Sequence, residues 1–263
     1  MKNKLICSLL SSMLLIGFSS SNAQTQSAFA GFYGQISTGY ESNQLGSASG
    51  SDNVVPFSNS NTTGSLSSQT FGGAPLVFGA GYLWQASDKW LIGLGADYSA
   101  LTQTSSTFSR NVVNASGSTE IANGQTQTQN GASMQLSNRF NLFLTPAYAI
   151  DKEKLVYIKA GYSQVNAQYN RPTSITNTLN GVSTTTARTG GNQSSTQSGY
   201  LVGLGYKQMI MSGLYGFVEG NYMGYNAPSY SFTTPTSNAT KSANLNFGSL
   251  NTYQLLIGLG YAF

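Results

Sequence analysis

Eight stretches of the sequence alternate large apolar residues with small or polar residues at every second position. They cover about residues 31 to 41, 74 to 85, 89 to 102, 134 to 149, 154 to 168, 198 to 208, 213 to 230 and 250 to 263. Neighbouring side chains of an extended strand point to opposite faces, so each stretch predicts a β-strand with one apolar face. No helical period of useful length appears after the first two dozen residues. The alternation therefore predicts an all-β chain of eight strands.

The connections between these stretches alternate in length. Short links join the second stretch to the third, the fourth to the fifth and the sixth to the seventh: QASDK, AIDKEK and KQMIMSG. Long tracts of Ser, Thr, Asn, Gln and Gly separate the others: residues 42 to 73, 103 to 133, 169 to 197 and 231 to 249. Antiparallel neighbours need only short links, so we predict an up-and-down meander with four long polar loops at one end and short turns at the other. Low-complexity tracts of this kind are expected to hold little fixed structure.

The face opposite the large apolar residues carries mainly glycine and a few charged residues. On the second and third stretches it includes Gly79, Gly81, Gly93, Gly95 and Asp97. Two folds compete: a soluble sandwich or barrel with this face in water, and a narrow closed barrel with this face inside. Glycine weakens a strand and a solvent face has no need of it, whereas a narrow interior has room for few large side chains. The pattern favours the closed barrel.

Aromatic residues recur at both ends of the apolar faces. Three pairs are separated by eight positions: Trp90 and Tyr98, Phe140 and Tyr148, and Tyr253 and Tyr261. Eight residues span about 27 Å, which a strand tilt of about 40° reduces to roughly 21 Å along the axis, close to the apolar band of an outer-membrane barrel. The predicted aromatic girdles comprise Tyr82, Trp84, Trp90, Tyr98, Phe140, Tyr148, Tyr162, Tyr200, Tyr206, Tyr253 and Tyr261. Because a β structure in lipid must close on itself, we predict an eight-stranded antiparallel up-and-down transmembrane β-barrel.

The N-terminal residues MKNKLICSLLSSMLLIGFSSSNAQ have the parts of a secretory signal. Lys2 and Lys4 precede an apolar run, and small residues follow it at Ser21 and Ala23. We predict a signal peptide over residues 1 to 23 and one barrel domain over residues 24 to 263. Charged residues make up only 8% of the chain, against about a quarter in soluble domains, so much of the surface is expected to face something other than water. No clustered basic stripe is present, and nucleic acid is not a predicted partner.

The signal peptide, the even number of strands, the alternation of short turns with long loops and the final strand YQLLIGLGYAF resemble a known family. These features are similar to the small eight-stranded outer-membrane β-barrels of Gram-negative bacteria, the group of the OmpA membrane domain, OmpX and the neisserial opacity proteins. The resemblance implies location in the bacterial outer membrane and contact with its lipid and lipopolysaccharide. It also implies insertion by the barrel-assembly machinery, which in that family reads a terminal aromatic residue, here Phe263. The sequence to Phe263 does not predict the peptidoglycan-binding domain that many OmpA proteins carry, so its anchoring role is not an expectation here.

Enzymatic chemistry is not predicted. The chain contains no histidine, and its single cysteine, Cys7, lies in the predicted signal peptide. Outer-membrane barrels that act as enzymes resemble one another in using a histidine base, which this chain cannot supply. The same composition offers no credible set of ligands for a transition metal, so no catalytic residue, cofactor or metal site is assigned.

Five ionisable residues are predicted to face the barrel interior: Asp97, Arg139, Lys159, Lys207 and Glu219. Charges in a low-dielectric interior cost free energy unless they are paired. Positions counted from the turn end predict an Asp97–Arg139 pair and a Glu219–Lys159 contact across the interior, with Lys207 nearer the turns. Either these residues form a fixed network that fills the barrel, or they gate a narrow solute path.

The register of the seventh stretch stays open. If Glu219 points inward, Tyr215 and Phe217 point inward as well, which inverts the glycine rule of the other strands. Their rings could fill the space left by glycines on the sixth and eighth stretches. A bulge or a reversed register is the alternative.

Two functions are compatible with these features. The leading hypothesis is a non-enzymatic outer-membrane barrel whose loops present a structural, adhesive or antigenic surface, with a host or other cell-surface ligand. The alternative is a narrow porin-like channel for small or apolar solutes. Loop aromatics are predicted either to contact a partner or to extend the barrel wall: Phe57, Phe71, Phe108, Tyr230, Phe232 and Phe247.

Overall fold

A computed structural model describes residues 27–55, 61–115, 119, 121–188, 191–235 and 240–263. The predicted signal peptide and Phe57 lie outside these residues. Within them the chain forms antiparallel β-strands and no helix. In chain order the strands are β1 (Gly31–Leu45), β2 (Ala48–Val55), β3 (Thr62–Leu66), β4 (Gln69–Gly73), β5 (Leu76–Gln85), β6 (Trp90–Ser99), β7 (Gln103–Thr104), β8 (Phe108–Asn114), β9 (Gln125–Ala149), β10 (Lys154–Asn170), β11 (Ser174–Leu179), β12 (Val182–Ala187), β13 (Gln193–Met209), β14 (Leu214–Tyr225), β15 (Ser229–Pro235), β16 (Thr240–Phe247) and β17 (Leu250–Ala262).

Eight of these strands pair in a closed antiparallel ring. The order around the ring is β1, β5, β6, β9, β10, β13, β14 and β17, and β17 pairs with β1 again. Each predicted stretch overlaps one ring strand, and the strands pair in the predicted order. Because the last strand pairs with the first, the ring leaves no unpaired edge.

The three short links lie at one end of the ring and are closed by backbone hydrogen bonds. The amide of Ala86 donates to the carbonyl of Trp90 at 2.8 Å, and Ile150 donates to Lys154 at 2.9 Å. The third link is closed by Ile210, which donates to Leu214 at 2.8 Å. No helix in the described part of the chain is long and apolar enough to span a membrane.

The long tracts contain strands, so the expectation that they hold little fixed structure is wrong for their described residues. They extend the wall of the ring: β15 pairs with β16, β16 with β2, β2 with β3, β3 with β8, and β8 with β9. On its other side, β9 pairs with β11, and β11 forms a hairpin with β12. In β8, β15 and β16 apolar residues at alternate positions give the strand a buried face, whereas every residue of β12 is exposed. We call β2, β3, β8, β11, β12, β15 and β16, together with the part of β9 that pairs with them, the extension.

The extension encloses an apolar cluster that continues into the ring through Phe143, Leu201 and Met223. Leu45, Met134, Tyr169 and Leu245 belong to one buried cluster that also contains most of the loop aromatics. Those aromatics lie with at most 8% of their surface exposed, so the prediction that they contact a partner is wrong for Phe71, Phe108, Tyr230, Phe232 and Phe247. They pack the inside of the wall, which was the alternative interpretation.

A bulge on β9 marks the change from the ring to the extension. Asn138 has a φ of 52° and, with Arg139, lies opposite the single residue Val165 of β10. Towards the turns, odd-numbered residues of β9 such as Arg139 face inward, whereas beyond the bulge Leu136 and other even-numbered residues are buried. One extra residue in a strand reverses the side of every residue after it, so the bulge turns Met134 and Leu136 towards the apolar cluster while Arg139 and Asn141 stay inward on the turn side.

The seventh stretch, now β14, keeps an unbroken register with both neighbouring strands. Tyr215 and Phe217 are buried inside the ring, so the inward placement is confirmed and the bulge is not present. A Cβ atom added to Gly258 would touch the ring of Phe217, and one added to Gly260 would touch the phenol of Tyr215. Large rings on β14 therefore occupy the space that glycines on β17 leave free.

This complementarity predicts that Gly260→Val is destabilising. The added carbons would collide with the Tyr215 ring, and overpacking a filled interior costs about 1–3 kcal/mol. Gly220→Val on β14 is the matched control, because a Cβ there has nothing within 4 Å. Urea unfolding in detergent micelles measures both variants. Equal free energies of unfolding would show that the interior is not tightly packed at this level.

Candidate functional site

The interior of the ring contains a buried ion-pair triad. The ammonium of Lys159 lies 2.9 Å from a carboxylate oxygen of Asp97 and 2.9 Å from one of Glu219. The three residues come from β10, β6 and β14. Lys159 is only 1% exposed, and its partner position on β13 is Gly203, where a Cβ atom would collide with the side chain of Asn221.

The two carboxylates of the triad are also hydrogen-bonded by neutral groups. The Asn141 amide donates to Asp97 at 2.5 Å, and the Asn221 amide donates to Glu219 at 2.7 Å. The hydroxyl of Tyr157 donates to the second oxygen of Glu219 at 2.7 Å. These donors compensate for a single cation between two anions, because hydrogen bonds to a charged acceptor are among the stronger ones.

A second ion pair lies nearer the extension. The guanidinium of Arg139 contacts both carboxylate oxygens of Glu41, Nη1 to Oε2 at 2.5 Å and Nη2 to Oε1 at 2.9 Å. Its Nε donates to the hydroxyl of Tyr225 at 3.0 Å, and Gln254 donates to Glu41 at 2.8 Å. This two-pronged contact between β9 and β1 fixes the planar guanidinium in one orientation.

The predicted pairing of these charges is only partly correct. The contact between Lys159 and Glu219 is present, whereas the predicted Asp97–Arg139 pair is wrong. Asp97 lies opposite Asn141 in the ladder and Arg139 lies opposite Ser99, and the Arg139 side chain reaches Glu41. Glu41 was missed because it stands at the end of the first predicted stretch. Glu41 falls on the same alternate positions as the inward-facing polar residues of that stretch, and this could have identified it as an interior residue.

Lys207 is a buried cation held mainly by aromatic rings. Its ammonium lies 4.1 Å from the ring centroid of Tyr33 and 4.7 Å from that of Tyr215. It donates to the Gln35 side-chain oxygen at 3.1 Å and to the Tyr215 hydroxyl at 3.3 Å. No carboxylate among the described residues lies within 4.0 Å of it. Cation–π contacts and neutral acceptors take the place of an ion pair.

Side chains fill the interior of the ring at two charged levels, that of the Lys159 triad with Lys207 and that of the Arg139–Glu41 pair. The cavity beside Lys159, Lys207 and Glu219 has a volume of about 10 Å³, and the space around Arg139 and Glu41 measures about 0 Å³. A single water needs at least roughly 10–15 Å³ of such volume. Below the charges, towards the turns, an apolar cluster of Leu83, Leu91, Leu155 and other residues closes the ring.

The outer face of the ring carries exposed aromatic residues at two levels. At the level near the extension Tyr98 pairs with Phe140 and Tyr162 with Tyr200. Near the turns Trp90 lies 5.2 Å from Tyr148 between ring centroids. The predicted girdle residues thus lie on the outer face, at the two ends of the ring strands. Sequence reasoning missed further members on the same face: Phe32, Tyr40, Phe78 and Tyr222.

Phe263 lies at the seam where the ring closes. Its amide donates to the carbonyl of Phe32 at 2.9 Å, and its ring lies 5.1 Å from that of Tyr261. The side chain is 79% exposed. It therefore continues the outer aromatic surface at the turn end.

No protein-family model matches this chain, and no curated protein matches it. Solved structures do match it. The outer membrane protein OprG of Pseudomonas aeruginosa has a TM-score of 0.50 and 13% identity, over 90% of this chain and 98% of that chain. The outer membrane protease OmpT of Escherichia coli has a TM-score of 0.42 and 11% identity, over 95% of this chain and 99% of that chain. Ail, the attachment invasion locus protein of Yersinia pestis, solved with a heparin analogue, has a TM-score of 0.35 and 11% identity, over 86% of this chain and 99% of that chain.

The chain therefore has the fold of the small outer-membrane β-barrel proteins. The ring of eight strands shows this fold, and so does the likeness to OprG, which covers 90% of this chain and 98% of that chain. At 13% identity the likeness shows the fold alone.

The Arg139–Glu41 pair predicts strong coupling between two substitutions. Arg139→Met leaves a buried carboxylate without its cation and is expected to cost about 3–5 kcal/mol in free energy of unfolding. The double variant Arg139→Met/Glu41→Gln should recover part of this loss, since it removes both charges. Lys154→Ala is the control, because its contact with Asp151 is exposed to solvent and should have little effect on stability. Additive losses in urea unfolding would contradict a direct Arg139–Glu41 interaction.

Proposed function

We propose that this protein is a non-enzymatic outer-membrane β-barrel that presents the extension at the bacterial cell surface. The ring would span the bilayer as an eight-stranded up-and-down barrel, and the extension would serve a structural, adhesive or antigenic role. A host or other cell-surface ligand would contact the extension. The observation that carries this proposal is an apolar outer face around an interior that side chains fill.

The outer face of the ring supports a membrane environment. Leu144, Leu204, Leu255 and Ile257 each expose more than half of their surface, and similar residues occur on the other ring strands. Soluble monomers rarely expose contiguous apolar patches larger than a few hundred Å². A band of this kind between two aromatic levels matches the lipid-facing surface of outer-membrane barrels.

Strand length supports a part that projects beyond the bilayer. A tilted transmembrane strand needs about 9 to 11 residues, whereas β9 has 25 residues and β10 has 17. The extra residues lie on the side of the extension. Lipid and lipopolysaccharide would surround the ring, and Phe263, at the end of β17, would be read by the barrel-insertion machinery.

The filled interior favours surface presentation over a channel. Eight-stranded barrels usually have interiors just wide enough for side chains. Here the triad, the Arg139–Glu41 pair and the rings of Tyr33, Tyr157 and Tyr215 occupy that space. A solute could pass only if several of these contacts separated at once.

Planar-bilayer recordings test the closed interior. The purified protein is expected to give no steady single-channel conductance, because the spaces at the two charged levels, about 10 Å³ and about 0 Å³, are too small for a continuous file of water. A water-filled porin recorded in the same bilayers is the positive control. Steady conductance by the wild-type protein would favour the porin-like channel instead.

Epitope insertion tests the orientation. A short tag between Asn180 and Gly181, at the exposed β11–β12 turn, should be labelled by antibody on intact cells. The same tag after Asp151, in the short turn before β10, should be labelled only after the outer membrane is permeabilised. The reverse result would place the extension in the periplasm. Recovery of the protein in the soluble periplasmic fraction would contradict the membrane barrel itself.

A further inference from the structure

A small cavity inside the extension is lined by residues from all four long tracts. Asp52 comes from β2, Arg110 from β8, Lys241 from β16, and Arg171 and Arg188 from the segments that flank the β11–β12 hairpin. The cavity volume is about 50 Å³. This is several times the roughly 10–15 Å³ that one water requires, so a single small polyatomic ion would fit.

The lining of this cavity is strongly basic. Four of the twelve Lys and Arg residues of the chain contribute to it, together with one carboxylate, that of Asp52. Among the described residues, none of the four cations has a carboxylate oxygen within 4.0 Å. In a chain with so few charges, this concentration of like charge is unfavourable unless an anion is bound.

Arg110 is the most deeply buried of these cations. It is 5% exposed, and its Nε and Nη2 atoms are buried without a hydrogen-bond partner among the described residues. The guanidinium lies against two glycines: a Cβ on Gly50 would be 2.9 Å from Nη2, and a Cβ on Gly64 would be 2.5 Å from Nε. The wall thus makes room for a guanidinium with two nitrogens that have no partner among the described residues. Such donors are costly to bury unless a ligand accepts from them.

Arg171 is positioned by an aromatic ring. Its guanidinium carbon lies 4.5 Å from the ring centroid of Phe232, which is itself buried in the extension. Burial first, and the positive charge of Arg188 second, lower the pKa of Arg171 from its ordinary value. A lowered pKa of Arg171 agrees with a site in which carboxylates do not fully balance the positive charges.

We propose that this cavity binds one small oxyanion of the phosphate or sulfate type. Arg110 would be the buried anchor, and Arg171, Arg188 and Lys241 would complete the charge around the ion. Guanidinium groups present parallel N–H donors that match the oxygen atoms of phosphate and sulfate. The ion would be free in solution or would be the terminal group of a lipid headgroup. This site does not depend on whether the ring interior conducts.

Titration calorimetry in an uncharged detergent tests the proposal. Inorganic phosphate and sulfate are added at constant ionic strength, with chloride as the balancing salt. Saturable binding of one ion per chain is expected. In a second arm the protein is placed in phosphatidylcholine nanodiscs with and without phosphatidic acid. If phosphatidic acid prevents the binding of inorganic phosphate, the headgroup is the source, and if it does not, the free ion is.

Substitutions locate the binding site. Arg110→Gln and Arg171→Ala are each expected to weaken binding by about tenfold or more, because each removes a charge-assisted hydrogen bond. Lys152→Gln at the opposite end of the ring changes the net charge equally and should leave the affinity unchanged. If Arg110→Gln fails to fold, the half-buried Arg171 and Arg188 are tested alone as alanine variants.

Three results would overturn the proposal. One is the absence of saturable phosphate and sulfate binding in both arms. Another is equal weakening in Lys152→Gln, which would indicate a general charge effect. The last is unchanged affinity in both Arg171→Ala and Arg188→Ala.

Discussion

Closure of the ring is the constraint on which the rest of the structure depends. Pairing of β17 with β1 satisfies the backbone polar groups that would otherwise form two edges, and only a closed β structure can do this in lipid. Closure with eight strands also makes the interior narrow. The narrow interior in turn requires glycine wherever a large ring or a long charged side chain approaches from another strand. Gly260 beside Tyr215, and Gly205 beside Tyr157, are direct results of that requirement.

The polar interior follows from the same constraint. Residues that face inward are shielded from lipid, so Lys159 and Arg139 can be buried provided that each finds its partners. The triad and the Arg139–Glu41 pair tie β1, β6, β9, β10 and β14 together across the ring rather than along it. These contacts across the ring add to the backbone hydrogen bonds between adjacent strands and hold the ring in one shape. Lys207 shows that aromatic rings can stabilise a buried cation in the same interior.

Period-two alternation was sufficient to predict the ring strands and their outer faces, because alternation is a local property of an extended chain. The alternating lengths of the connections predicted the order of the strands. Period-two alternation also predicted the inward position of Lys159 and Glu219. It did not predict the partner of Arg139, because the contact with Glu41 depends on side-chain reach across the ring and on the bulge at Asn138. The extension was hidden for a different reason. Its polar composition resembles that of disordered tracts, and only the position of residues such as Tyr230 and Leu245 reveals an inner face.

The apolar core of the extension has a consequence for how such a surface can vary. If the long tracts were unstructured, almost any residue in them could be exchanged without effect on the fold. In this wall, Phe232 and Leu245 are packed inside, so variation has to be confined to outward-facing positions and to tips such as the β11–β12 hairpin. The surface would then vary by substitution at the outward-facing positions, which alternate with buried positions along each strand. The buried residues would keep the fold constant.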